Sequence, residues 1–184
     1  LFKNLPYDPD KSIEPVMTLF FMPQVLAITA DLNVKSVDDL VKLSKAKPGT
    51  MSYASPGVAH AAFVETFVKK QKGGDVVKVP FRGGGDAVNG MLTGTTPVAF
   101  IGFGNLQALL EANKVTALVI DGEKRLPSLP NVPTAAELGY SGYLGRPFFA
   151  LFAPAATPPP IVDRMRSEIA TITSDPAFAK RNVV

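Results

Sequence analysis

Between residues 51 and 120 the chain keeps changing its hydrophobic period, and that alternation narrows its fold more than any other feature. MSYA (51–54), VVKVPF (76–81), PVAFIG (97–102) and VTALVI (115–120) are short runs rich in strand formers. Between them lie AHAAFVETFVKKQ (59–71), GGGDAVNGML (83–92) and NLQALLEAN (105–113), which read as helices. Strand–helix alternation with short links predicts an α/β fold around a mainly parallel sheet. PVAFIG is almost wholly apolar, the mark of a strand covered on both faces. In such a layout ligands sit beyond the carboxyl ends of the strands.

The flanking segments extend this pattern. PVMTLFFMPQVLAIT (15–29) reads as strand, split by Pro23. SVDDLVKLSKAK (36–47) predicts a helix: Ser36 can cap it, Asp39 sits at the capping-box position, and Val37, Leu40, Val41 and Ser44 make one face. On the 59–71 helix, Ala59, Phe63 and Phe67 fall in register. After Asp121 the texture becomes Pro-rich and loop-like. Thr134 and Glu137 form a capping box that should open a short helix, ended by Gly139. RPFFALFAP (146–154) is a further strand. Thr157 is then placed to cap a helix with prolines in its first turn, lined by Ile161, Met165, Ile169 and Ile172.

Composition limits the classes of function. The 184 residues suit one medium domain or two small lobes, and 46% hydrophobic against 19% charged residues is a globular profile. Lys+Arg 19 against Asp+Glu 16 leaves a net charge of +3 with no long basic run, so no nucleic-acid partner is expected. The absence of cysteine excludes disulfides, thiolate metal sites and thiol nucleophiles. No apolar run approaches the roughly 20 residues that span a bilayer. The opening LFKNLPYDPDKS has no basic region followed by an apolar core, so no signal peptide is visible and the start reads as the interior of a longer chain.

Candidate chemistry centres on YASPGVAH (53–60), where a strand breaks at Ser55-Pro56-Gly57 and a helix begins. The first N–H groups of a helix lack intrahelical partners and sit at the positive end of its dipole, which suits a carboxylate or phosphate. The same turn also reads as an ordinary strand-to-helix connection capped by Ser55. His60 is the only histidine. Glu65 lies five residues on, off the i, i+4 spacing of a helical metal pair, and no GxSxG elbow supports a catalytic Ser–His pair. FRGGGDAVNG (81–90) matches neither a Walker loop nor GxGxxG, but Arg82 could reach an anion. Gly102 ends the apolar strand on the edge shared with Ser55, Asp121 ends the next strand, and Arg146 precedes the return strand. No general acid, general base and stabiliser come together, so neither catalytic residues nor a metal or cofactor is expected.

The ordered set LPYDPDKSIEPV, SVDDLVKLSKAKPGTMSYASPG, VVKVPFRGGGDAVNGMLTG, KVTALVIDGEKRLPSLPNVPTAAELGY and FFALFAPAATPPPIVDRM resembles the Bug/TctC family across the chain. These are the extracytoplasmic solute receptors of tripartite tricarboxylate transporters. The resemblance implies a two-lobed, hinged periplasmic-binding-protein fold (type II) and a periplasmic protein. It further implies capture of a di- or tricarboxylate or an aromatic acid for the membrane permease subunits. Lobe two would be largely complete and lobe one partial: residues 1–21 a remnant of lobe one with its crossover, 22–140 lobe two, and 141–184 the return crossover and C-terminal helices of lobe one. The family holds a ligand carboxylate through backbone amides and ordered waters at two loops. One of these corresponds to Ser55, Pro56, Gly57, Val58, Ala59 and His60, with Gly102 on the opposite wall and Arg82, Asp121 and Arg146 as secondary candidates. The loop is shorter and less polar than in many relatives, and Ile101 stands where many carry an acidic residue.

The resemblance to such receptors also implies that this chain alone exposes apolar surface at Phe2, Phe149 and Ile161, or oligomerises to cover it. Two other readings stay open at this stage: a ligand sensor for a two-component kinase, and an enzyme of phosphorylated substrates using the Gly-rich turns.

Overall fold

A computed structural model describes residues 5–140 and 147–178. In chain order the elements are α1 (Pro9–Ser12), β1 (Ile13–Phe21), β2 (Gln24–Thr29), α2 (Val37–Ala46), β3 (Ser52–Ser55), α3 (Val58–Phe63), β4 (Val77–Pro80), α4 (Gly84–Leu92), β5 (Val98–Gly102), α5 (Phe103–Glu111), β6 (Val115–Asp121), β7 (Phe148–Pro154) and α6 (Pro159–Thr173). A π-helical stretch, Val64–Gln71, continues α3. Pro23 separates β1 from β2, as its missing N–H and fixed φ require. The chain forms two compact units, Leu1–Met22 with Pro147–Val184, and Pro23–Arg146.

The larger unit is a five-stranded sheet in the order β4-β3-β5-β2-β6. β3 pairs parallel with both β4 and β5, whereas β2 pairs antiparallel with both β5 and β6. The expected mainly parallel sheet is therefore corrected to a mixed one: β3, β4, β5 and β6 run one way, and β2 is threaded between β5 and β6 in reverse. Periodicity could not reveal this, because a fully buried strand such as QVLAIT reads the same in either direction. β5 is buried at every residue in the middle of the sheet.

Ser36 caps α2, its Oγ accepting the Asp39 N–H at 3.0 Å, and Val37, Leu40, Val41 and Ser44 are the buried face. Opposite them, Phe63 stacks on Phe100 at 3.9 Å between ring centroids, with Phe67 and Tyr140 completing the aromatic cluster. Ala59 departs from the expected register: it is exposed at the start of α3, while Phe63 and Phe67 are buried. The capping box at Thr134 and Glu137 forms reciprocally, Thr134 N–H to Glu137 Oε2 at 2.7 Å and Glu137 N–H to Thr134 Oγ1 at 3.2 Å. It opens a run of turns instead of the expected helix, since Ala135 N–H is drawn to the Ile120 carbonyl beside β6.

The smaller unit is the antiparallel ribbon β1–β7 packed on α6. Two expectations for α6 are corrected. Pro158 occupies the cap position, and Thr157 instead donates its N–H to the Pro154 carbonyl. The packed face is Val162, Met165 and Ile169 against Val16, Met17, Leu151 and Ala153, while Ile161 and Ile172 are 51% and 57% exposed. Arg166 fastens the helix to the ribbon, donating to the carbonyls of Val16 at 3.1 Å and Pro15 at 3.0 Å and pairing with Glu14 at 3.3 Å.

Candidate functional site

Because β3, β4, β5 and β6 run in one direction, their carboxyl ends lie along one edge of the larger unit's sheet. A helix follows each of β3, β4 and β5. Each of these helices has a glycine at its cap: Gly57 for α3, Gly83 for α4 and Gly102 for α5. None has a side-chain cap. Three adjacent helix starts therefore present first-turn N–H groups that no side chain satisfies, at one edge, although in α5 the first of them, Phe103 N–H, donates to the Pro23 carbonyl at 2.9 Å.

The Ser55–His60 turn is built differently from a capped turn. Ser55 Oγ donates to the Gly57 carbonyl at 3.3 Å and leaves the helix N–H groups untouched. The Ser55 carbonyl accepts the Phe81 N–H at 3.1 Å, tying this turn to the next one along the edge. Gly57 has extended backbone, φ −173° and ψ 171°, so its conformation is open to other residues. A Cβ there would stand 3.3 Å from His60 Nδ1, so the imidazole would have to yield by a few tenths of an ångström. Val58 and Ala59 are exposed at the helix start beyond Pro56.

His60 packs its ring edge-on against Phe100, 6.2 Å between centroids. Its Nδ1 is buried without a hydrogen-bond partner among the described residues, and burial lowers the pKa of the ring. The imidazole is thus neutral at pH 7. Ser55 Oγ is engaged with the Gly57 carbonyl, and His60 Nδ1 has no partner among the described residues, so no hydrogen bond joins the two side chains there.

Arg82 is exposed next to the α4 cap and lines a 550 Å³ groove with Asp86 and Asn89. Behind it, a Cβ on Gly84 would lie 2.8 Å from Asn105 Nδ2, so the starts of α4 and α5 touch through a residue without a side chain. Asn105 Nδ2 donates weakly, at 3.5 Å, to the Gly102 carbonyl. Gly102 opposes Gln24, and Gln24 opposes Asp121, so these three form one cross-strand row at the edge. Phe100 and Val119 flank Leu26 in the next row on the same face. Asp121 is only 5% exposed, and burial pushes its carboxyl up to about 6. Gln24, equally buried, escaped the sequence reading; its signal was a lone polar residue at the head of the apolar run QVLAIT. Arg146 lies outside the described residues.

A second open groove of 870 Å³ lies at the opposite edge, lined by Thr29, Lys47, Ser52, Thr95 and Lys114 among others. The carboxyl edge is the stronger candidate, because the uncapped helix starts and the buried Asp121 gather there. Chemically, that edge is suited to hold a small anion through backbone donors.

The family model described as "Tripartite tricarboxylate transporter family receptor" matches residues 1–182. Protein BugT of Bordetella pertussis is 32% identical over 166 residues, covering 88% of this chain and 50% of that protein. The R. palustris protein Rpa4515 with adipate superposes with a TM-score of 0.87 at 27% identity, over 98% of this chain and 61% of that one. MatC from Rhodopseudomonas palustris with bound malate gives 0.84 at 28% identity, over 98% and 62%. The chain spans about half the length of the curated relatives it matches. With a mixed α/β sheet and these superpositions, the fold is of the periplasmic-binding-protein type. The chain therefore belongs to the tripartite tricarboxylate transporter receptor family, the Bug/TctC receptors.

Proposed function

We propose that this chain belongs to a periplasmic solute receptor that captures a small carboxylate and delivers it to the permease subunits of a tripartite tricarboxylate-type transporter. The unit Pro23–Arg146 is lobe two, and the smaller unit belongs to lobe one. The observation that carries the reading is the bank of three glycine-capped helix starts at one sheet edge. Backbone N–H groups held by strand and helix are preorganised, so they bind an anion without ordering long cationic side chains. Val58, Ala59 and His60 contribute through their N–H groups at the start of α3, the wall at Gly102 contributes through α5, and Arg82 adds a mobile charge at the rim. Related receptors bound to adipate and to malate support a carboxylate as the ligand class.

Calorimetric titration of the intact protein with mono- and dicarboxylates, adipate and malate included, is the test. Heat of binding with a matching rise in thermal midpoint is expected for at least one acid. Absence of both across the panel overturns the proposal.

A further inference from the structure

A small anion needs no carboxylate of the protein beside it, yet Asp121 places one there. It ends β6 at the same edge as the uncapped helix starts, in the row Gly102–Gln24–Asp121. Adjacent strands stand about 4.8 Å apart, so two strand spacings, about 10 Å of backbone, separate Asp121 from the cap of α5. The Phe103 N–H is taken by the Pro23 carbonyl at 2.9 Å, and a four-carbon acid held by the rest of that first turn spans much of the distance to the Asp121 side chain. The residue is 95% withdrawn from solvent, being 5% exposed. Among the described residues no hydrogen bond or ion pair reaches its carboxyl, and only burial acts on it. A buried carboxylate without a donor is unfavourable, and one facing a second carboxylate is more so. Either is relieved when the ligand itself brings a donor.

We infer that Asp121 is a specificity-determining residue that selects a carboxylate carrying a hydrogen-bond donor, hydroxyl or ammonium, over the plain acid of the same length. This rests on the carboxylate-receptor reading above. At neutral pH a carboxyl poised near pH 6 is mostly ionised and accepts from that donor. The ligand's own carboxylate then lies on the helix starts, and its donor lies toward Asp121. The same arrangement disfavours a ligand whose second carboxylate would fall beside Asp121 with nothing between them.

Succinate, malate and aspartate differ only in the hydrogen, hydroxyl or ammonium group on one carbon, and so serve as probes. Calorimetry of the intact protein at pH 7.5 is expected to give at least tenfold tighter binding of malate or aspartate than of succinate. A preference for malate identifies a hydroxyl as the donor, and one for aspartate an ammonium. In Asp121→Asn the aspartate advantage should fall at least tenfold, because the charge is gone, while a malate advantage should fall less, because the amide oxygen still accepts. Asp121→Leu should abolish both, with folding of each variant checked by its thermal midpoint. Wild-type protein that binds succinate as tightly as the other two, or variants that keep the wild-type ratios, overturns this inference and leaves the carboxylate reading standing. If no acid in the panel binds, plain or donor-bearing, the carboxylate reading fails and this inference fails with it.

Discussion

The ring of Phe81 lies over Gly90 so closely that a Cβ on Gly90 would stand 2.6 Å from its Cζ. Phe81 is the residue between β4 and the Arg82–Gly83 helix start, and Gly90 is two turns into α4. The contact presses the end of the strand onto the helix that follows it, and so sets where the α4 N–H groups point. Replacement Gly90→Ala should therefore destabilise the protein, although alanine is about 1 kcal/mol the better helix former. Overpacking of about 1–3 kcal/mol outweighs that gain, because a phenyl ring cannot bend away as a flexible chain would. Urea unfolding of variant and wild type checks the sign.

Asp121 links stability to pH. Its carboxyl titrates at about 6 in the folded protein, against an ordinary 3.8. Above both values it is charged in both states, and the folded state bears the full cost of burial. As pH falls from 7.5 through 6 toward 4, the folded protein takes up a proton that the unfolded chain does not, and stability rises by up to roughly 3 kcal/mol. His60 acts in the opposite sense, since its lowered pKa costs stability below pH 6.5. The comparison that isolates Asp121 is wild type against Asp121→Asn, unfolded in denaturant at pH 7.5 and at pH 5. The variant should lack the Asp121 share of the gain; equal pH dependence in the two proteins would contradict the assignment.

Tyr53 is fully buried and donates its hydroxyl to Glu65 Oε1 at 2.9 Å, and Glu65 in turn pairs with Lys69 at 3.0 Å. Burial, and then the Glu65 carboxylate, push the phenol well above the usual tyrosine range. In an absorbance titration of the folded protein one tyrosine should resist ionisation beyond the usual tyrosine range, and Tyr53→Phe should remove that resistant group. The variant should lose about 1.5–3 kcal/mol, the worth of one hydrogen bond to a charged acceptor.

On the smaller unit, Phe21, Phe148, Phe149, Phe152 and Ile161 are all about half exposed. Stacking of Phe20 on Phe149 at 4.8 Å covers only part of this surface. A protein of these 184 residues should bind an apolar fluorescent dye or self-associate. Light scattering that shows a monodisperse monomer, together with no dye binding, would contradict this.

Much of the framework was legible because it is local. Ser36 caps α2 and the four predicted residues are its buried face, since a cap and a 3.6-residue period depend only on nearby sequence. Pro23 divides two strands because it cannot donate a hydrogen bond. The candidate site was legible as a place, through strand–glycine–helix turns at Gly57, Gly83 and Gly102. Its details were not. That Ser55 donates to a carbonyl, and that His60 turns its ring against Phe100, depends on what packs above the turn. Likewise, α6 offered the pattern Ile161, Met165, Ile169, Ile172, but the ribbon β1–β7 took Val162 in place of the outer two.

By itself, the sequence determined where backbone conformation changes: which runs extend, which coil, and which glycines and prolines stand at the junctions. Those are short-range consequences of sterics and side-chain period. Only the tertiary structure decided that β2 runs against its neighbours and carries Gln24 to the edge where β5 and β6 end. It alone also decided that Asp121, a secondary candidate in the sequence as the last residue of a strand, is enclosed with no partner for its charge among the described residues. Strand direction and burial are set by contacts between segments far apart in the chain, and hydrophobic period carries no record of them.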